Sequence, residues 1–252
     1  MITDPLFYAA AVPAVVLMGL AKGGFSGLGL LSLPLMALVV SPVQSAAIML
    51  PILIVQDVVT VWAYRRSWDR RNIAILLPSA VVGIVSGYLL AARVSDAAVT
   101  LAVGIVSIAF AVRRLILERR KTLPSPAKAD VPRGLFWGGV IGFTSMIAHA
   151  GGPPFQIYVM PQRLPRDVFV GTGAVFFALN NWIKVPPYIA LGQFTAENLA
   201  TAAALFPVAV ASTWAGVLLV RRVSGDRFYT LVYALLVLVG AKLAVDGARA
   251  LL

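Results

Sequence analysis

Two glycine-rich interruptions and a few polar side chains carry whatever chemistry this chain can do. The first interruption reads Lys22-Gly23-Gly24-Phe25-Ser26-Gly27-Leu28-Gly29, and the second reads His149-Ala150-Gly151-Gly152-Pro153-Pro154. Glycines turn the backbone sharply and leave its amides free to face a ligand. A helix starting near Gly29 would aim its positive N-terminal dipole at the same place. With the full charge of Lys22, these groups predict an anion site. The plainer reading is close helix packing at the glycines with Lys22 snorkelling to an interface. A lysine far from water costs roughly 2.5–3.5 kcal/mol, which favours the anion site.

The second interruption is the counterpart of the first. Its two prolines suit a loop entering a helix start. His149, the only histidine, can donate a hydrogen bond or carry a coupling proton, or simply pack. Gln56 and Asp57 in one apolar segment match Asn180, Asn181 and Lys184 in another, with Asp57 aligned to Asn180. Intramembrane ionisable groups face a partner or a water-filled cavity. One reading is therefore a structural Asp57–Lys184 pair. The other is a substrate site of Lys22, Gly23, Gly24, Ser26, Gly27, Gly29, Gln56, His149, Gly151, Gly152, Asn180, Asn181 and Lys184, with Asp57 or His149 as proton carrier. Lys242 and Asp246, four residues apart, read as an interfacial pair.

Several chemistries are disfavoured. With one histidine, no cysteine and few buried carboxylates, a three- or four-ligand metal site is not expected, and no cofactor is implied. A Ser26–His149 dyad would make an intramembrane protease, yet Gly24-Phe25-Ser26-Gly27-Leu28 lacks the spacing of a nucleophile elbow. No enzyme is expected.

The elements that must position these residues are membrane helices. Of 252 residues 60% are apolar and 12% charged, with mean hydropathy +0.90, whereas soluble domains carry about 25% charged residues. The net charge of +11 sits in short clusters between apolar runs, so a nucleic-acid partner is not expected and a lipid bilayer is. The N-terminus lacks a basic region, so no cleavable signal peptide is expected. Apolar runs of spanning length lie at Val43–Tyr64, Ile73–Ala92, Ala97–Val112, Val168–Leu191, Leu199–Val220 and Phe228–Gly247. Two more, Leu6–Val40 and Gly134–Met160, are broken at the glycine-rich tips.

The chain repeats itself. Leu76–Ser95 aligns without a gap to Leu205–Ser224, and Gly19, Gly29 and Pro42 align with Gly142, Gly152 and Pro165. This predicts one all-α membrane domain over 1–252. Its repeats, 5–117 and 134–252, each have a glycine-broken pair, re-entrant or short, and three spans. A basic linker at 118–133 joins them, within the wider basic run Arg113–Arg133. Cytoplasmic loops collect lysine and arginine. That puts Arg65–Arg71, the linker, Arg163, Arg166, Arg221, Arg222 and Arg227 inside, and both termini outside. Arg93-Val94-Ser95 then falls outside and its mate Arg222-Val223-Ser224 inside, as in inverted-repeat transporters. Trp62, Tyr64 and Trp68 read as interface anchors.

The order of these pieces resembles a known family. A tip Gly23–Gly29 with Leu33-Pro34 precedes Pro42, a polar-punctuated span, Tyr64-Arg65, Trp68-Asp69, then Pro78, Gly83 and Gly87, and the pattern recurs. Over nearly the whole chain this is similar to the TauE/SafE sulfite exporter family. The resemblance implies an exporter of sulfite, sulfoacetate or a related organosulfur anion in a bacterial inner membrane. The second tip departs from it, with His149, Pro153 and Pro154 where the family is as glycine-rich as in the first. A passive anion channel of the same fold would use the same site.

Overall fold

The computed structural model describes every residue except Ser26, Ala92, 121–126 and 221–225, and the side chains of 114, 117–120 and 226–233 are likewise outside the description. The described residues form ten α-helices and no strand. They are α1 (Pro5–Gly23), α2 (Ser32–Met36), α3 (Pro42–Tyr64), α4 (Arg70–Ala91), α5 (Asp96–Arg120), α6 (Val131–Ala148), α7 (Gly152–Val159), α8 (Arg166–Ala190), α9 (Ala196–Leu219) and α10 (Asp226–Leu251). Short 3-10 turns at Leu28–Leu31 and Met160–Gln162 flank α2 and α7. Each half thus runs long, short, long, long, long.

The starts are written locally. Proline in the first turn lacks only an amide that a helix start leaves unpaired. Side chains then cap the free amides: Asp4 accepts from Leu6 N at 2.8 Å, Ser41 from Gln44 N at 3.1 Å, and Asp130 from Arg133 N at 2.8 Å. Asp130 and Pro132 explain why α6 begins inside the expected linker. On its other side, α5 continues through Arg113 to Arg120.

Six described helices are long and apolar enough to cross a membrane: α1, α3, α4, α5 (through Arg113), α8 and α9. The first arm of the first broken pair is therefore itself of spanning length. Both second arms are too short for the roughly 30 Å apolar layer, since five and eight residues reach only about 8 and 12 Å.

Helices in lipid associate by close packing rather than by escape from water, and small residues line these crossings. α1 packs on α9 and α6 on α4, while α3 meets α8 and α5 meets α10. Exchanging the two halves maps the α1–α9 pairing onto α6–α4 and each of the other two pairings onto itself. A Cβ at Gly19 would lie 2.1 Å from Ser212 Oγ, and at the equivalent crossing a Cβ at Gly142 would lie 2.0 Å from Ala80 O. The obstacle at Gly142 is backbone, which cannot rotate away. Gly142→Val is expected to lower stability by about 3 kcal/mol, the upper end for overpacking, read as a lower melting temperature in detergent. Gly139→Ala in the same helix, where a Cβ meets nothing closer than 3.8 Å, is expected to leave it unchanged or higher.

Hydrogen bonds sort the loops into two ends. At one end Arg71 donates to Ala129 O at 3.3 Å, Asn72 and Gln162 exchange bonds at 2.9 Å, and Arg166 donates to Val220 O. At the other, Ile2 N donates to Thr201 Oγ1 at 2.9 Å and Gln44 to Asn198 at 3.2 Å. The described parts of the loops expected inside share the first end, while 121–126, Arg221 and Arg222 lie outside the described residues. Trp62 is exposed beside Trp214, with its rings 5.8 Å apart. Tyr64 is not a surface anchor: it is 4% exposed and donates to Gly23 O at 3.0 Å. The Lys242–Asp246 pair forms at 2.7 Å on an exposed face, as expected.

Candidate functional site

Both glycine tips border one cavity of about 130 Å³, room for a few waters or a small ion. Lys22, Gly24, Gly27 and Gly29 face it from the first tip, His149 and Gly152 from the second, and Asn181 from α8. Gly24 and Gly27 have φ of 134° and 99°, backbone that a side chain would strain, so these turns need glycine. The expected dipole from a helix at Gly29 is weak, because a four-residue 3-10 turn and the five-residue α2 stand there instead.

The other predicted residues lie behind the wall. Gly23 is pressed against α9, where a Cβ would come 2.4 Å from Gly216 C, and Gly151 backs onto Ile141 and Phe177. Gln56 is buried and donates to Val15 O at 3.2 Å, leaving its own oxygen without a partner among the described residues. Ser26 lies outside the described residues.

Two cationic clusters meet at this wall. Lys22 forms an ion pair with Asp57, their side chains 10% and 3% exposed, and Asn181 donates to the second carboxylate oxygen at 2.6 Å. The sequence allowed an Asp57–Lys184 pair, but the carboxylate is taken by Lys22. The last turn of α1 delivers that lysine against the middle of α3, which linear spacing does not reveal. The Phe177 ring centroid lies 5.8 Å from Lys22 Nζ and adds a weak cation–π contact.

Lys184 is fully buried. It donates to Ser145 O and Ser145 Oγ at 3.2 Å each and meets His149 Nδ1 at 2.8 Å. Three acceptors match the three N–H donors of an ammonium group. His149 Nε2 lies 3.0 Å from Ala46 O. A carbonyl only accepts, so the proton sits on Nε2 and Nδ1 is the acceptor for Lys184. Among the described residues no carboxylate is within ion-pair distance of Lys184.

His149 also closes α6 with φ of 49°. Its N–H bonds Ser145 O at 3.2 Å and the next N–H bonds Thr144 O at 3.2 Å, a helix stop that glycine usually makes. Left-handed backbone in a non-glycine residue costs about 1–2 kcal/mol, so the ring is kept at an energetic cost. Asn180 donates to Ser145 Oγ at 2.8 Å, with its own oxygen unpartnered among the described residues. Two polar lining residues were not singled out from the sequence: Ser145 and Gln156. The repeat register marks the first, since the offset relating Gly19 to Gly142 relates Lys22 to Ser145. Nothing in the sequence marks Gln156.

A helical bundle with spanning helices, two interrupted segments and a cavity at their tips belongs to the multi-pass membrane proteins. The family can then be stated: the chain belongs to the sulfite exporter TauE/SafE family, whose model matches residues 11–243. That is a family of membrane transporters of small anions. No curated protein and no solved structure matches the chain.

Proposed function

We propose that this protein is a secondary transporter exporting sulfite or a related small organosulfur anion, with the cavity between the two tips as its substrate site. The observation that carries the reading is Lys184, a fully buried amine with no carboxylate within ion-pair distance among the described residues, standing behind the cavity wall. Burial away from water disfavours the charged form of an amine, and an anion in the cavity would offset that cost. Lys22, Asn181, Gly24, Gly27, Gly29, His149 and Gly152 would form the lining, with Gly23, Gly151, Gln56, Asn180 and Lys184 behind them and Ser26 at the first tip.

Alternating access would come from rocking two inverted repeats, 5–117 and 134–252, of a single domain. The ends of α1 and α6 support this. α1 starts beside the Ile2–Thr201 contact and finishes at Tyr64, whereas α6 starts beside Arg71 and finishes at Ala46. Equivalent helices therefore begin at opposite ends. The positive-inside rule assigns the Arg71–Arg166 end to the cytoplasm, and both chain termini to the outside of a bacterial inner membrane. Asp57, holding Lys22 at the cavity edge, is the natural proton carrier. His149 is less suited, because both ring nitrogens are engaged, and the same engagement argues against a Ser26–His149 protease. The test is sulfite flux into proteoliposomes. Saturable flux accelerated by sulfite on the far side is the expected result. Linear, unaccelerated flux would indicate a channel, and none at all would overturn the reading.

A further inference from the structure

Polar side chains have fixed numbers of donors and acceptors, and at this cavity most are already engaged inside the protein. Ser145 is the informative exception. Its hydroxyl oxygen accepts from Asn180 Nδ2 at 2.8 Å and from Lys184 Nζ at 3.2 Å. With the Asn180 amide in this orientation both lone pairs are filled, and the one valence left is the O–H donor. Among the described residues that hydrogen has no acceptor, and the side chain, although 2% exposed, borders the cavity. Gln156, one turn into α7, borders the same cavity and makes no side-chain hydrogen bond among the described residues.

We infer that Ser145 and Gln156 are substrate-contacting residues, presenting a hydroxyl and an amide N–H from the second hairpin to the oxygens of one oxyanion. This rests on the transport reading above and says which atoms the anion meets. Lys22 faces the ligand from the opposite half and Asn181 from α8 of the same half, but one N–H of each is already held by Asp57. Ser145 stands at the register of Lys22, so the pseudo-equivalent positions provide a charged donor in one half and a neutral, directional one in the other. Lys184 is a positioning residue: its amine donates to Oγ and so orients the hydroxyl without reaching the ligand. Two separated neutral donors require a ligand with at least two acceptor atoms. The site should therefore prefer oxyanions such as sulfite over a halide, which has one centre and no directional lone pairs to match.

The experiment is titration of sulfite and chloride against nanodisc-reconstituted protein, following thermal stabilisation, for wild type, Ser145→Ala, Ser145→Thr, Gln156→Ala and Gln156→Leu. Ser145→Ala and both Gln156 variants are expected to weaken sulfite about tenfold or more and leave any chloride response unchanged. Ser145→Thr, which keeps the hydroxyl, should stay within a few-fold of wild type. The sulfite-to-chloride ratio separates a binding role from loss of packing, which would weaken both ions together. If Ser145→Ala does not fold, the Gln156 variants carry the test, since that side chain holds nothing in the protein. Wild-type sulfite affinity in Ser145→Ala and Gln156→Ala would overturn the inference and leave the transport reading intact. A wild-type protein that answers to no oxyanion would overturn both.

Discussion

Asp57→Ala is expected to destabilise the protein by about 3–5 kcal/mol, the cost of leaving a buried partner charge uncompensated. The charge left behind is Lys22, whose side chain is only 10% exposed in a cleft at the end of α1. Asn181 would lose its acceptor as well. The double variant Lys22→Met with Asp57→Leu removes both charges and keeps similar volume, so it should recover most of the loss, as buried pairs replaced by apolar groups often do. Reversible unfolding of wild type, both single variants and the double variant closes the cycle. A coupling energy near zero would mean that the pair does not hold α1 to α3.

Lys184→Met carries the second large effect, and it falls on function. Methionine fills the unbranched volume of the lysine stem but offers nothing to Ser145 or His149. Removing one partner of a buried, charge-assisted network typically costs 2–5 kcal/mol of binding. Sulfite flux at matched protein level is therefore expected to fall on the order of 10²-fold. Lys184→Arg should not rescue it, because a planar fork cannot reproduce the compact three-donor geometry. Unchanged flux in Lys184→Met would remove the observation on which the transport reading stands.

Much of the architecture was legible in the sequence because a bilayer imposes length and apolarity on each element. Proline and a capping side chain then mark the starts at Pro5, Pro42 and Val131. The interruptions were legible because Gly24 and Gly27 need backbone that only glycine adopts cheaply. The repeat read in the sequence led to the expectation that both tips share one site, and both border one cavity. What linear spacing could not give was pairing. The sequence offered Asp57 only Lys184 as a partner, and its pairing with Lys22 depends on how α1 lies across α3. Tyr64 looked like an interface anchor by its company, yet its hydroxyl ties down the first tip. Ser145 and Gln156 are ordinary neutral residues whose importance lies in what their atoms leave unpaired, and only coordinates count that.

The most direct measurement is anomalous diffraction from crystals soaked in selenite, the selenium analogue of sulfite. The account predicts one selenium peak in the cavity between the tips, with its oxygens at hydrogen-bond distance, about 2.5–3.2 Å, from Ser145 Oγ and the Gln156 amide. A peak bound elsewhere in a protein that transports selenite, with this cavity lacking one, would contradict it.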